Sequence, residues 1–144
     1  MPAKKKTDQT PAEKAHATGL WAETLFKALS TRVAKRWRFI SFRGAGKGEW
    51  RGVVDVLAIR KNTAQPTASD LKRGDLFEIV LVQIKGGSAK APTMDDTQRL
   101  QAVAAFYHAK AIVLFSWVKH ERAEFSILRA DGAWDATSAT AVFG

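Results

Sequence analysis

The chain contains no cysteine, which excludes a disulfide framework and any metal site built on thiolates. It is also poor in acids, with 14 Asp and Glu against 23 Lys and Arg, for a formal net charge of +9 and a pI near 10.1. No apolar run approaches the roughly 18 residues of a membrane span. The lysines near the N-terminus have no apolar segment behind them, so that end does not read as a signal peptide. The expectation is a soluble, cytoplasmic protein with no membrane partner. Three histidines, His16, His108 and His120, lack metal-ligand spacing, and no Ser/His/Asp set points to a covalent nucleophile.

What is present fits one domain: 144 residues with 46% hydrophobic content, enough for a single core. Residues 1–17 are rich in Lys, Thr, Ala and Pro and are expected to be a disordered basic arm, leaving 18–144 as the domain. The arm holds only +2 of the net charge and the remainder +7. A folded domain this basic favours a polyanionic partner, nucleic acid before membrane.

The pattern predicts a helix from Thr18 to about Lys35, with Trp21, Leu25, Ala28, Leu29 and Val33 as its apolar stripe. Glu23 lies off that stripe and faces solvent by default or a site. A short strand, 37–42, leads into the glycine-rich basic segment 43–51, which holds Arg43, Lys47, Trp50 and Arg51 with Glu49 as its acid. Glycines there let the backbone approach a phosphate, and Trp50 can stack on a base. The spacing around Lys47 does not fit a phosphate-binding P-loop, so no nucleotide cofactor is expected.

Two strands apolar on both faces follow, 52–60 and 76–85, separated by the polar loop 61–75. Asp55 stands near the start of the first, and Gln83 and Lys85 leave one face at the end of the second. If the two form an antiparallel hairpin, all three converge. Thr93 with Asp96 reads as a capping box opening a helix to about His108, with Leu100, Val103, Ala104 and Tyr107 buried. A buried strand at 111–117 would lie parallel to the Gln83 strand by a right-handed crossover. A further strand spans 124–129, and the stretch from Ala130 on is read as irregular.

This order of elements, with the acid at the second strand's start and Gln-x-Lys at the third strand's end, resembles the PD-(D/E)xK nuclease superfamily. The glycine-rich segment and small size look most like its Holliday junction resolvase branch. The resemblance implies an α/β restriction endonuclease-like fold: a three-stranded antiparallel meander plus a parallel crossover strand, flanked by helices on both faces. It implies a Mg²⁺- or Mn²⁺-dependent endonuclease acting on DNA and usually dimeric. By that likeness Asp55 is a metal ligand, Gln83 stands in the acid's place, Lys85 is the catalytic lysine, Glu23 the helical acid and Gln98 the supporting polar residue. Arg99 or Gln101 can replace Gln98 in that role, and Glu49 can replace Glu23 as the second acid. The motif departs from its family in the neutral Gln83 and in Val54 before Asp55.

Other readings of the same residues remain open. Asp55 can be a strand-edge acid paired with Arg43 or Arg51, and Gln83 and Lys85 the solvated end of a strand. The competing function is a non-catalytic nucleic-acid-binding module that retains the fold.

Overall fold

The computed structural model describes residues 11–42, 52–87, 91–117 and 122–144. Among them six strands form one sheet in the order β1-β2-β3-β4-β5-β6: β1 Arg38–Ser41, β2 Val56–Lys61, β3 Phe77–Gly86, β4 Ala111–Trp117, β5 Glu124–Leu128 and β6 Trp134–Thr137. Every neighbouring pair is antiparallel except β3 and β4. The expected meander with a parallel crossover strand is therefore present. The helices are α1 Pro11–Val33, α2 Met94–Tyr107 and α3 Ala139–Phe143. No helix among the described residues is long and apolar enough to cross a membrane.

Strands buried on both faces need cover on both, and two apolar clusters supply it. On one face α1 and α3 pack Ala22, Phe26 and Phe143 over Val56, Ala58, Val80, Val82, Val113 and Phe115. Phe26 is the hub, with its ring 5.7 Å from Phe39, 5.6 Å from Phe115 and 6.0 Å from Phe143 in edge-on contacts. On the other face Leu100 of α2 meets Leu81, Ile112 and Val53.

α1 begins at Pro11, seven residues before the predicted start, and proline's fixed φ suits a helix's first turn. Residues 1–10 of the expected arm lie outside the described residues. The buried stripe of α1 is Ala22, Phe26 and Ser30, rotated from the predicted one, and Trp21 is 54% exposed beside Trp117. The small Ala22 and Ser30 let the helix approach the sheet closely, which a pattern of large apolar residues does not register.

β2 begins at Val56, four residues later than expected: the Asp55 backbone still bonds Val82 and Phe42, but its carboxylate accepts from the Ile84 amide. α2 opens with the expected capping box: Thr93 Oγ1 accepts from the Asp96 amide at 3.1 Å, and Asp96 Oδ2 accepts from the Thr93 amide at 3.4 Å. His108 closes it in a left-handed conformation, φ 54°. Leu100 is buried as expected, but Tyr107 is 58% exposed.

Residues 130–144 are not irregular. β6 completes the sheet beside β5, and α3, capped by Ser138, carries the fully buried Phe143 into the aromatic cluster.

Candidate active site

β3 presents Gln83 and Lys85 on the α2 side of the sheet, the side on which Leu81 packs against Leu100. Asp55 sits beside them, held at three points by described residues. Its amide donates to the Val82 carbonyl at 2.9 Å, its carbonyl accepts from the Phe42 amide at 3.3 Å, and Oδ2 accepts from the Ile84 amide at 2.7 Å. The carboxylate thus takes the place of a backbone carbonyl at the end of the β2–β3 ladder. Asp55 thereby grips the residues on either side of Gln83, Val82 through its amide and Ile84 through its carboxylate, which fixes the carboxylate's orientation. The expected convergence of Asp55 and Gln83 is present at this edge.

Gln83 is 5% exposed, and its Oε1 is buried without a hydrogen-bond partner. A buried amide oxygen left unpaired costs about 1–3 kcal/mol, so this position is unfavourable until a donor or a cation engages it. Lys85 lies one step further along the same face. Its ammonium is 3.9 Å from Asp96 Oδ2 at the first turn of α2, so the carboxylate it faces is Asp96 rather than Asp55.

Glu23 is 6% exposed, which settles its orientation against the solvent default. It accepts a short hydrogen bond from the Ser41 hydroxyl at the end of β1, and Lys27 Nζ is 4.0 Å away one helical turn on. Ser41 immediately precedes Phe42, whose amide binds Asp55, so β1 brings Glu23 and Asp55 to the same end of the sheet.

Gln98 is not brought into this group. It is exposed on α2, whereas Thr97 beside it is 9% exposed and Asp96 faces Lys85. Asp96 is the site neighbour that reads in the sequence only as a cap. The signal was available, since a right-handed crossover returns the helix N-terminus over the C-terminal end of the preceding strand. Arg43, Lys47, Glu49, Trp50 and Arg51 lie outside the described residues. Among the described residues no three His, Cys, Asp or Glu side chains form a metal-holding group.

A helix, an antiparallel meander, a crossover helix and a parallel fourth strand, with polar side chains gathered where β3 ends, constitute the restriction endonuclease-like fold. The solved structure of Hjc, a Holliday junction resolvase from the archaeal hyperthermophile Archaeoglobus fulgidus, is similar over 88% of this chain and 100% of its own, with a TM-score of 0.52 and 13% identity. At that identity the likeness is one of fold. No protein-family model matches the chain, and no curated protein sequence matches it.

Proposed function

We propose that the protein is a divalent-metal-dependent endonuclease that hydrolyses phosphodiester bonds in DNA, with branched or otherwise structured DNA as its substrate. The observation that carries this reading is the clamp of Asp55 on both flanks of Gln83, with Lys85 next on the same face. The fold it shares with a protein described as a Holliday junction resolvase supports the substrate class.

Mg²⁺ or Mn²⁺ fits the donors present. Asp55 offers a fixed carboxylate, the unpaired Oε1 of Gln83 offers a neutral oxygen, and Glu23 or Glu49 offers a second acid. When bound, the cation supplies charge neutralisation at the phosphate and a water of lowered pKa. The chain's own contribution is positional. Asp55 and Glu23 are held by backbone and hydroxyl donors, and Lys85 places an ammonium where charge develops in the transition state. Arg43, Lys47, Arg51 and Trp50 would bind the DNA backbone and bases.

Self-association belongs to the same proposal, because a four-way junction has two strands to cut. The exposed Phe106 and Tyr107, with ring centroids 4.8 Å apart, offer an apolar surface for a second copy, and sedimentation of the wild type against Phe106→Ser reads it out.

A second reading has its own support: with a neutral Gln83 and no trio of acidic or histidine ligands among the described residues, the chain could bind nucleic acid without cutting it. Metal-dependent nicking of plasmid or branched DNA by pure protein separates the two. Asp55→Asn is the control of choice, since its amide oxygen can still accept from Ile84 and preserve the ladder. Nicking by the wild type and its loss in Asp55→Asn is the expected result. Binding without nicking establishes the non-catalytic module.

A further inference from the structure

At the other end of β2, remote from Asp55, lies an open cleft of about 420 Å³ that the proposed chemistry does not use. Lys35 and Arg36 after α1, Arg60 and Lys61 at the end of β2, Asn62 and Glu78 line it. Its carboxylate is already neutralised, because Glu78 pairs with Arg60 at 2.5 Å and with Lys110 at 3.5 Å. Lys35, Arg36 and Lys61 make no ion pair with any described residue. Three cations converging without a counter-charge among the described residues repel one another, and an arrangement of that kind is relieved by an anionic partner.

The rim is ordered by its backbone. The Lys35 amide donates to the Phe143 carbonyl at 2.9 Å, and the Lys35 carbonyl accepts from Arg60 Nη1 at 3.1 Å. The Arg60 guanidinium lies 4.4 Å over the ring of Trp37. Arg36 has φ 64°, a left-handed conformation that helix ends usually give to glycine. A long cationic side chain is thus kept at a position where backbone preference favours none, and such outliers collect where a ligand is held. Among the described residues β1 is the edge strand of the sheet, and its exposed Arg38, paired with Ile59, adds a further cation near this cleft.

Lys61 lies six residues beyond Asp55 along an extended chain, a separation of about 20 Å at about 3.3 Å per residue. That span corresponds to about six base pairs of duplex at about 3.4 Å each. We propose that this cleft is a second binding point for the phosphate backbone of duplex DNA, about six base pairs from the phosphate presented to Asp55. The proposal rests on the reading of the chain as a DNA-binding protein and does not depend on cleavage.

The test compares binding of a 30-base-pair duplex, without divalent metal, by wild-type protein and by the triple variant Lys35→Gln, Arg36→Gly, Lys61→Gln over a range of salt concentrations. The expected result is a log–log salt slope shallower by about two to three, near 0.9 for each phosphate no longer neutralised, and at least tenfold weaker binding at physiological salt. Arg36→Gly relieves the left-handed backbone, so the melting temperature should be equal or higher and unfolding cannot mimic the weaker binding. Because the chain has no cysteine, Lys61→Cys and Lys85→Cys can each carry a single photocrosslinker. Lys85 stands eight residues along β3 from Phe77, which pairs with Lys61, so at about 3.3 Å per residue and about 3.4 Å per base pair their adducts should map about eight base pairs apart. Equal slopes for the wild type and the triple variant, or adducts at the same base, overturn this second binding point while leaving DNA binding intact. A wild type that binds no DNA overturns the cleft's role and the DNA reading together.

Discussion

The ammonium of Lys85 and the carboxylate of Asp96 face each other across 3.9 Å, and the carboxylate oxygen involved also accepts the Thr93 amide that closes the α2 capping box. One acid therefore both starts the crossover helix and faces the lysine at the end of β3. Thr93→Ala and Asp96→Asn separate the two roles. Thr93→Ala should lower stability by about 1 kcal/mol and leave cleavage unchanged. Asp96→Asn retains an oxygen for the Thr93 amide, so the helix should persist while turnover falls about tenfold at unchanged KM, as on loss of an orienting outer partner. Equal turnover in both variants would show that Asp96 only caps.

Phe143 stands one residue before Gly144, yet it is fully buried and its ring lies 5.6 Å from Trp37, 5.1 Å from Phe39 and 6.0 Å from Phe26. Phe143→Ala should cost about 3–5 kcal/mol through the burial it forfeits and the cavity left behind. Urea unfolding measures it as a lower midpoint at unchanged slope. A loss below about 1 kcal/mol would mean that the cluster closes without α3.

Glu78 gives the fold a pH dependence. Burial pushes its carboxyl pKa up, but the hydrogen bond and charge of Arg60, with Lys110 behind it, outweigh burial and hold it below the ordinary 4.5. A carboxyl with a lowered folded pKa binds fewer protons folded than unfolded. Its contribution is complete above pH 4.5 and is lost as pH falls through the folded value. The stability difference between wild type and Glu78→Gln should therefore be constant from neutral pH down to about 5 and close below 4.5. A difference that persists unchanged at pH 3 in urea titrations would contradict this pairing.

How much of this was legible in the sequence follows from how local each signal is. β3 and β4 announce themselves as Val/Ile/Leu runs, and the α2 start by Thr93 and Asp96, because burial on both faces and a capping box leave short-range marks. Asp55, Gln83 and Lys85 were readable as polar side chains at the ends of such runs. α3 was not, since five residues carry no helical period and only Phe143's fit among distant aromatics makes that segment ordered. The buried face of α1 differs from its apolar stripe for a related reason: close approach selects Ala22 and Ser30 over the larger Trp21. Glu23's burial depends on Ser41, 18 residues away, a partner that no pattern within α1 displays.

The missing third-strand acid gives the most discriminating test of the metal. Gln83 is 5% exposed with an unpaired Oε1, so Gln83→Glu places a charge where water cannot solvate it well, beside the Asp55 carboxylate. Without a cation the variant should be less stable than the wild type by about 1–3 kcal/mol. With Mg²⁺ or Mn²⁺ in excess it should regain that loss and more, because a ligand that binds only the folded state stabilises it by mass action. Thermal melts of both proteins against metal concentration, with calorimetric titration for affinity, read this out independently of any nuclease activity. At a solvated strand end the same substitution would change neither stability nor metal response. A Gln83→Glu protein that is destabilised but indifferent to metal would leave Asp55 as the structural anchor of Ile84 alone, and the non-catalytic reading would stand.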